Sequence, residues 1–232
     1  MNKTSEFRPD GSRKPGILFD LDGVLWDSAP AHAEAFNQAF AEAHLPPLVD
    51  YTAIAGMKTE EAVLTHLERH ALPKDTTIIR AITSRKRELA LTFLRGKAKL
   101  APGLNETLRH LNCFYRLALC TSASPGTVAC FMEKSGLLPI FETVVDGTCV
   151  EHAKPAPDIY LIGARLLNLV ATEVWVIEDS WAGVAAGCSA GMNVIGVGEN
   201  VEALRSWGCQ AVIPNIGKLP EVLGGMSCGA PD

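Results

Sequence analysis

The chain has 232 residues, of which 47% are hydrophobic and 20% are charged, and its formal net charge is −5. This composition excludes the disordered, collagen-like and coiled-coil classes, and the length suits one globular domain with or without a modest insertion. The acidic balance offers none of the clustered Lys and Arg that nucleic acid requires, so we expect no nucleic-acid partner.

The N-terminal residues 1–14 are polar and lack the apolar run of a signal peptide. We expect them to form a flexible extension. No later stretch reaches the roughly 20 apolar residues of a membrane span. The seven cysteines contain no CxxC pair and no zinc-ligand spacing, which is typical of a reducing compartment. We therefore expect a cytoplasmic protein with no membrane partner.

Four short apolar runs are predicted to be strands, at residues 16–19, 117–120, 174–177 and 194–197. These runs do not alternate with polar residues, so they indicate strands that are covered on both faces, as in a parallel sheet between helical layers.

Helical patterns lie between the later strands. Leucines recur at helical spacing over residues 104–111, Pro125 can begin a helix that Gly136 ends, and Pro157 can begin another. Strand and helix thus alternate from about residue 100 onward, which predicts a doubly wound, Rossmann-like α/β fold.

The first and second predicted strands are separated by far more residues than one crossover helix needs. Within this gap, apolar residues recur at helical spacing: Phe36, Phe40, Val63, Leu64, Leu67, Ile78, Ile79 and Ile82. We therefore predict an α-helical domain at residues 28–97, inserted into an α/β core of residues 15–27 and 98–224. Residues 225–232 are predicted to be a loose tail.

Three of the four apolar runs end in polar residues, within FDLDG (19–23), CTSAS (120–124) and IEDS (177–180). Ligands bind at the carboxyl ends of the strands in an open parallel sheet, so these segments should converge on one cleft. Asp20 and Asp22 repel each other unless a cation lies between them, and Asp179 offers a third carboxylate. A hard cation with oxygen ligands, most plausibly Mg²⁺, would meet that need.

The pattern of these acids is compatible with two other interpretations. Each acid taken alone could be an ordinary strand-end or turn residue. An EF-hand calcium loop also begins with D-x-D. That loop is excluded, because the glycine falls at its fourth position rather than its sixth and an apolar strand precedes the motif.

Four segments match, in order, the motifs of the haloacid-dehalogenase-like superfamily. They are FDLDGVLWDS, Thr121 at the end of LALCT, Lys154 in AKPAPDIY, and IEDSWAGVAAGCSAGM. Over residues 16–215 the chain therefore resembles this superfamily. It is similar to the group with a helical cap that includes β-phosphoglucomutase, sugar-phosphate phosphatases and phosphoglycolate phosphatase.

The resemblance implies that Asp20 attacks phosphorus to give an aspartyl-phosphate. It implies that Asp22 protonates the leaving oxygen and later activates water. It also implies that Mg²⁺ is held by the Asp20 side chain, the Asp22 backbone carbonyl and Asp179, with Glu178 nearby either as an additional ligand or as a residue that contacts the ligands. For the phosphate it implies a set of donors: Thr121, the N–H groups around Ser122 and Ala123, and Lys154.

The resemblance also indicates cap residues that face the substrate. His32 lies where relatives often carry a histidine near the hinge, although an ordinary helix-surface histidine fits equally well. The segment AGMKTEE (55–61), with Gly56 and Lys58, resembles the family's specificity loop, and a solvated lysine is the alternative there. Trp26 departs from the smaller apolar residue of relatives and is interpreted as packing between core and cap.

These observations predict a Mg²⁺-dependent phosphatase that acts on a small-molecule phosphate ester, either a sugar phosphate or phosphoglycolate. A β-phosphoglucomutase-like phosphoryl transfer is the nearest alternative. A non-catalytic binding protein on the same fold is disfavoured by the intact Asp20, Asp22, Thr121, Lys154 and Asp179. We expect a monomer or a weak homodimer.

Overall fold

The protein is described by a computed structural model that covers residues 13–225. The predicted extension up to residue 12, and the predicted tail after residue 225, lie outside the described residues. Lys14, at the end of that extension, is buried and its Nζ donates a hydrogen bond to the Asn112 carbonyl over 3.0 Å.

The strands of the described chain are β1 (Gly16–Phe19), β2 (Trp26–Asp27), β3 (Lys99–Leu100), β4 (Arg116–Cys120), β5 (Thr143–Val145), β6 (Val174–Glu178), β7 (Asn193–Val197) and β8 (Ala211–Ile213). The helices are α1 (Ala29–Glu42), α2 (Thr59–Arg69), α3 (Thr76–Lys97), α4 (Leu104–Asn112), α5 (Pro125–Ser135), α6 (Asp158–Leu166), α7 (Trp181–Ser189), α8 (Val201–Ser206) and α9 (Leu219–Gly225).

Six strands form one parallel sheet in the order β5-β4-β1-β6-β7-β8. Successive residues of each central strand point to opposite faces, and both faces are apolar. In β1, Ile17 and Phe19 join one buried cluster and Leu18 joins the other. Residues of α4, α5 and α9 belong to the first cluster, and residues of α6, α7 and α8 to the second. This two-sided burial explains the unbroken apolar runs.

Helices α1, α2 and α3 lie between β2 and β3, and α1 and α2 each pack on α3. The two short strands pair antiparallel, with Trp26 opposite Leu100 and Asp27 opposite Lys99. The chain thus leaves the core and returns to it at neighbouring points. We keep the name cap for residues 28–97, and these boundaries stay a prediction.

The predicted fold class, a doubly wound α/β sheet with an inserted helical unit, is confirmed. The sequence did not reveal β5 and β8, which have three residues each and form the two edges of the sheet. Among the helices of residues 13–225, none has the length and apolar character needed to cross a membrane. The cytoplasmic location stays a prediction.

Candidate active site

The carboxyl ends of the three central strands open into one cleft. Asp20, Thr121 and Asp179 directly follow β1, β4 and β6, and β1 lies between the other two. Strand connections change direction beside β1, which is where open α/β sheets bind ligands. The cleft has a cavity volume of about 150 Å³. It is lined by ten of the predicted site residues: Asp20, Asp22, His32, Gly56, Thr121, Ser122, Ala123, Lys154, Glu178 and Asp179.

Asp20 is buried and is held from two sides. Its backbone N–H donates to the Ile177 carbonyl over 3.0 Å, which continues the β1–β6 contact past the end of β1. Its Oδ1 accepts a hydrogen bond from Lys154 Nζ at 2.6 Å. Burial raises the pKa of Asp20 to about 7, although Lys154 acts in the opposite direction. Any further positive charge that enters the cleft would therefore stabilise the ionised form of Asp20.

Lys154 joins two carboxylates. Its Nζ donates to Asp20 Oδ1 at 2.6 Å and to Glu178 Oε1 at 2.7 Å, and it lies 4.9 Å from the centre of the Tyr160 ring. Burial alone would lower the pKa of Lys154, but Asp20 and Glu178 raise it above its ordinary value. The ammonium is therefore a fixed positive charge beside Asp20.

Glu178 is fully buried and accepts hydrogen bonds on both oxygens. Oε1 accepts from Lys154 Nζ and, at 2.8 Å, from the Tyr160 hydroxyl. Oε2 accepts from the backbone N–H groups of Asp179 and Ser180 at 2.9 and 3.0 Å, and from the Ser180 hydroxyl at 3.0 Å. A Cβ on Gly183 would lie 1.6 Å from Oε1, so only glycine admits the carboxylate here. Glu178 thus positions both Lys154 and the turn that carries Asp179.

Asp20, Glu178 and Asp179 form the group of carboxylates in the described chain that could hold a metal ion. One oxygen of each lies within 4.8 Å of the others. Burial, together with the charges of Glu178 and Asp20, raises the pKa of Asp179 well above its ordinary value. Gly23 has φ +82°, and a Cβ there would lie 1.9 Å from Asp179 Oδ2. The crowded, mutually repelling oxygen ligands fit a hard divalent cation.

Asp22 is contacted on one oxygen by three donors. Its Oδ1 lies 2.9 Å from Trp26 Nε1, 2.5 Å from the Ser28 hydroxyl and 3.5 Å from His32 Nε2. Burial would raise the pKa of Asp22, but the donors His32, Ser28 and Trp26 lower it to about 2. Asp22 is among the residues that line the cleft, and its three donors all hold it through Oδ1.

Thr121 is buried at the end of β4, and its N–H donates to the Val145 carbonyl over 2.9 Å. Its Oγ1 accepts a hydrogen bond from the Ala123 N–H at 3.1 Å. The threonine O–H is therefore left to donate toward the cleft. The Ala123 N–H, which was predicted as a phosphate donor, is engaged within the loop in this structure.

The cap contributes a lysine that the sequence did not single out. Lys86 of α3 is buried, and its Nζ lies 3.3 Å from His32 Nδ1 and 4.4 Å from the centre of the Phe36 ring. An ammonium can only donate, so Nδ1 accepts and Nε2 carries the proton that points to Asp22. The sequence pattern that could have indicated it is helical spacing, which puts Lys86 on the same face of α3 as the buried Ile79, Ile82 and Leu89.

The two predicted residues of the specificity loop are placed differently. Gly56 lines the cleft with φ +79°, a conformation that favours glycine. Lys58 does not line it. Its Nζ lies 3.4 Å from the Glu151 carbonyl, so it joins the cap to the core loop that leads to Lys154. Tyr51 and Arg87 are further cap residues that line the cleft and that the sequence did not indicate.

Known proteins resemble the chain in both sequence and fold. A family model described as haloacid dehalogenase-like hydrolase matches residues 15–191. Hexitol phosphatase A of Escherichia coli (strain K12) is 37% identical over 194 residues, covering 83% of this chain and 87% of that protein. β-Phosphoglucomutase of Mycobacterium bovis is 28% identical, covering 87% and 90%. A hydrolase structure from Pseudomonas syringae matches with a TM-score of 0.82 at 20% identity, covering 92% of this chain and 100% of the other.

Proposed function

The chain belongs to the haloacid dehalogenase-like hydrolases, and on that basis we propose that it is a Mg²⁺-dependent phosphatase. Its substrate is a small phosphate monoester of the sugar-phosphate or phosphoglycolate class. The observation that carries the proposal is the different setting of the two aspartates. Asp20 is paired with Lys154 at 2.6 Å, while Asp22 lines the same cleft and accepts hydrogen bonds from Trp26 and Ser28 on one oxygen, Oδ1.

In the first step Asp20 attacks phosphorus, and the bond from phosphorus to the leaving oxygen breaks. Lys154 and the Thr121 hydroxyl offset the charge on the phosphoryl oxygens. Before that bond breaks, the negative charge of the bound ester favours the protonated form of Asp22, which takes up a proton from solvent. Asp22 then delivers that proton to the leaving oxygen.

In the second step Asp22 is an anion again and accepts a proton from water, whose oxygen attacks phosphorus. The bond between phosphorus and the Asp20 carboxylate oxygen breaks, which releases inorganic phosphate and restores Asp20. The Asp20 and Asp179 side chains and the Asp22 backbone carbonyl would hold Mg²⁺, with Glu178 beside them. When bound, Mg²⁺ supplies positive charge that keeps Asp20 ionised and that offsets the negative charge of the phosphate.

The test is a substrate panel of hexitol phosphates, hexose phosphates, phosphoglycolate and nucleotides, assayed for phosphate release with Mg²⁺ and with excess chelator. We expect release from a sugar phosphate or from phosphoglycolate, and none from the Asp20→Asn protein. If Asp20→Asn retains the wild-type rate, the proposed nucleophile is wrong.

The similarity to the Mycobacterium bovis β-phosphoglucomutase supports a second candidate with the same catalytic residues. A mutase would convert β-glucose 1-phosphate to glucose 6-phosphate without releasing phosphate. The same panel, read by product identity, separates the two activities.

A further inference from the structure

Trp26 is a buried residue that also makes a hydrogen bond to Asp22. Its side chain is 1% exposed, and its Nε1 donates to Asp22 Oδ1 over 2.9 Å. An indole N–H can only donate, and a buried N–H without an acceptor is costly. The contact therefore restrains the carboxyl as well as the indole.

The indole is held by the core. Trp26 lies in β2 opposite Leu100, and its carbonyl accepts from the Gly23 N–H over 2.9 Å. Its ring packs edge-on against Phe131 of α5, with ring centroids 5.4 Å apart and an interplanar angle of 74°. Two backbone contacts and one ring contact thus fix the direction of the N–H.

The other two donors to Asp22 come from the start of the cap. Ser28 is the N-cap residue of α1, and His32 lies in the first turn of that helix. All three donors meet the same oxygen. Since Trp26 precedes α1 and packs on the core, its hydrogen bond does not depend on where α1 lies.

We propose that Trp26 is a positioning residue that holds the Asp22 carboxyl from the core side and keeps it directed into the cleft. This proposal rests on the proposed function. Trp26 touches neither substrate nor reacting atoms and acts through Asp22. Because this restraint is independent of the cap, Asp22 keeps its orientation for the water step even when the contacts from Ser28 and His32 are broken.

The kinetic test compares Trp26→Phe with Trp175→Phe, a buried tryptophan of β6 that serves as the matched control. An alkyl phosphate from the panel needs a proton on its leaving oxygen, whereas p-nitrophenyl phosphate does not. We expect Trp26→Phe to lower kcat for the alkyl phosphate about tenfold, and to change the burst of p-nitrophenolate less than about threefold. Trp175→Phe should change both less than about threefold. In an Asp22→Asn background, Trp26→Phe should cause no further loss.

Equal losses on both substrates, or the same loss in the Asp22→Asn background, would assign Trp26 to folding alone and overturn the proposal. A second measurement needs neither turnover nor a Trp26 variant. In the ¹⁵N-labelled protein, Asp22→Asn should shift the indole N–H resonance of Trp26 and leave that of Trp175 in place. An unshifted Trp26 resonance overturns the proposal. Failure of the wild type to release phosphate from any ester contradicts only the proposed function.

Discussion

Replacing Lys86 with methionine should make the protein more stable and less active at neutral pH. The Lys86 ammonium is buried in the cap, with His32 Nδ1 at 3.3 Å and the centre of the Phe36 ring at 4.4 Å. Burial lowers its pKa from 10.5 to about 8, with Asp22 opposing that effect and Arg87 adding to it. Methionine keeps an unbranched apolar side chain in that space and removes the charge.

The size of the effect follows from this pKa difference. At about 1.4 kcal/mol for each pH unit, holding the charged form in the fold costs roughly 3 kcal/mol at pH 7. Methionine removes this cost but also removes the contact of the ammonium with the Phe36 ring, which stabilises the wild type by about 1 kcal/mol. Lys86→Met should therefore raise the free energy of unfolding by about 2 kcal/mol. Between about pH 8 and 10.5 the unfolded chain binds more protons than the native state. Wild-type stability therefore rises over that range, and the advantage of the variant disappears.

Denaturant unfolding at pH 7 and at pH 10 measures both effects, and Lys97→Met in the same helix is the control. Lys97 is half exposed and is paired with Glu34, so its loss should cost no more than about 1 kcal/mol. Phosphate release by Lys86→Met should fall, since His32 Nδ1 loses its donor. A variant that is no more stable than wild type at pH 7, or whose advantage persists unchanged at pH 10, would refute burial of the charge as the cause.

Excess EDTA should abolish turnover and lower the unfolding temperature, because a cation bound by the folded state stabilises it; full turnover in EDTA would exclude the metal. Asp22→Asn should lower turnover roughly 10² to 10⁴-fold and accumulate a phosphorylated protein after acid quenching, which Asp20→Asn cannot form. Label on Asp22 rather than Asp20 would reverse the assigned roles. Lys58→Ala should change relative rates across the substrate panel more than it changes aryl phosphate hydrolysis, since the contact from Lys58 Nζ to the Glu151 carbonyl joins the cap to the core. Equal losses on every substrate would assign Lys58 to folding or to the core site.

The core half of the site was predictable because a parallel sheet brings its strand ends together. Asp20, Thr121 and Asp179 were located from the apolar runs that precede them, and the structure brings them to one cleft. The edge strands β5 and β8 were not predicted, since three residues are too few to set a period.

The cap half was less accessible from sequence, because the face that a helix turns toward the core depends on packing. His32 was weighed equally as a surface residue, yet it is buried against Lys86. Trp26 was interpreted as a packing residue only, and it is indeed buried. Its hydrogen bond to Asp22 depends on a turn that brings residues 22 and 26 together, which no spacing in the sequence specifies.

The short ladder between β2 and β3 bears on how such an enzyme can acquire a new substrate. Asp27 and Lys99 lie opposite each other in this ladder, and the Ala101 N–H donates to the Leu25 carbonyl over 2.9 Å. The two ends of the inserted helices are therefore joined within the core. Another helical segment whose ends match this ladder could be grafted between them without rerouting β1 or β4. Asp20 and Thr121, which follow those strands, would stay in register while the surface above them changed, so we expect exchange of whole inserts to change the leaving group that the proposed enzyme accepts.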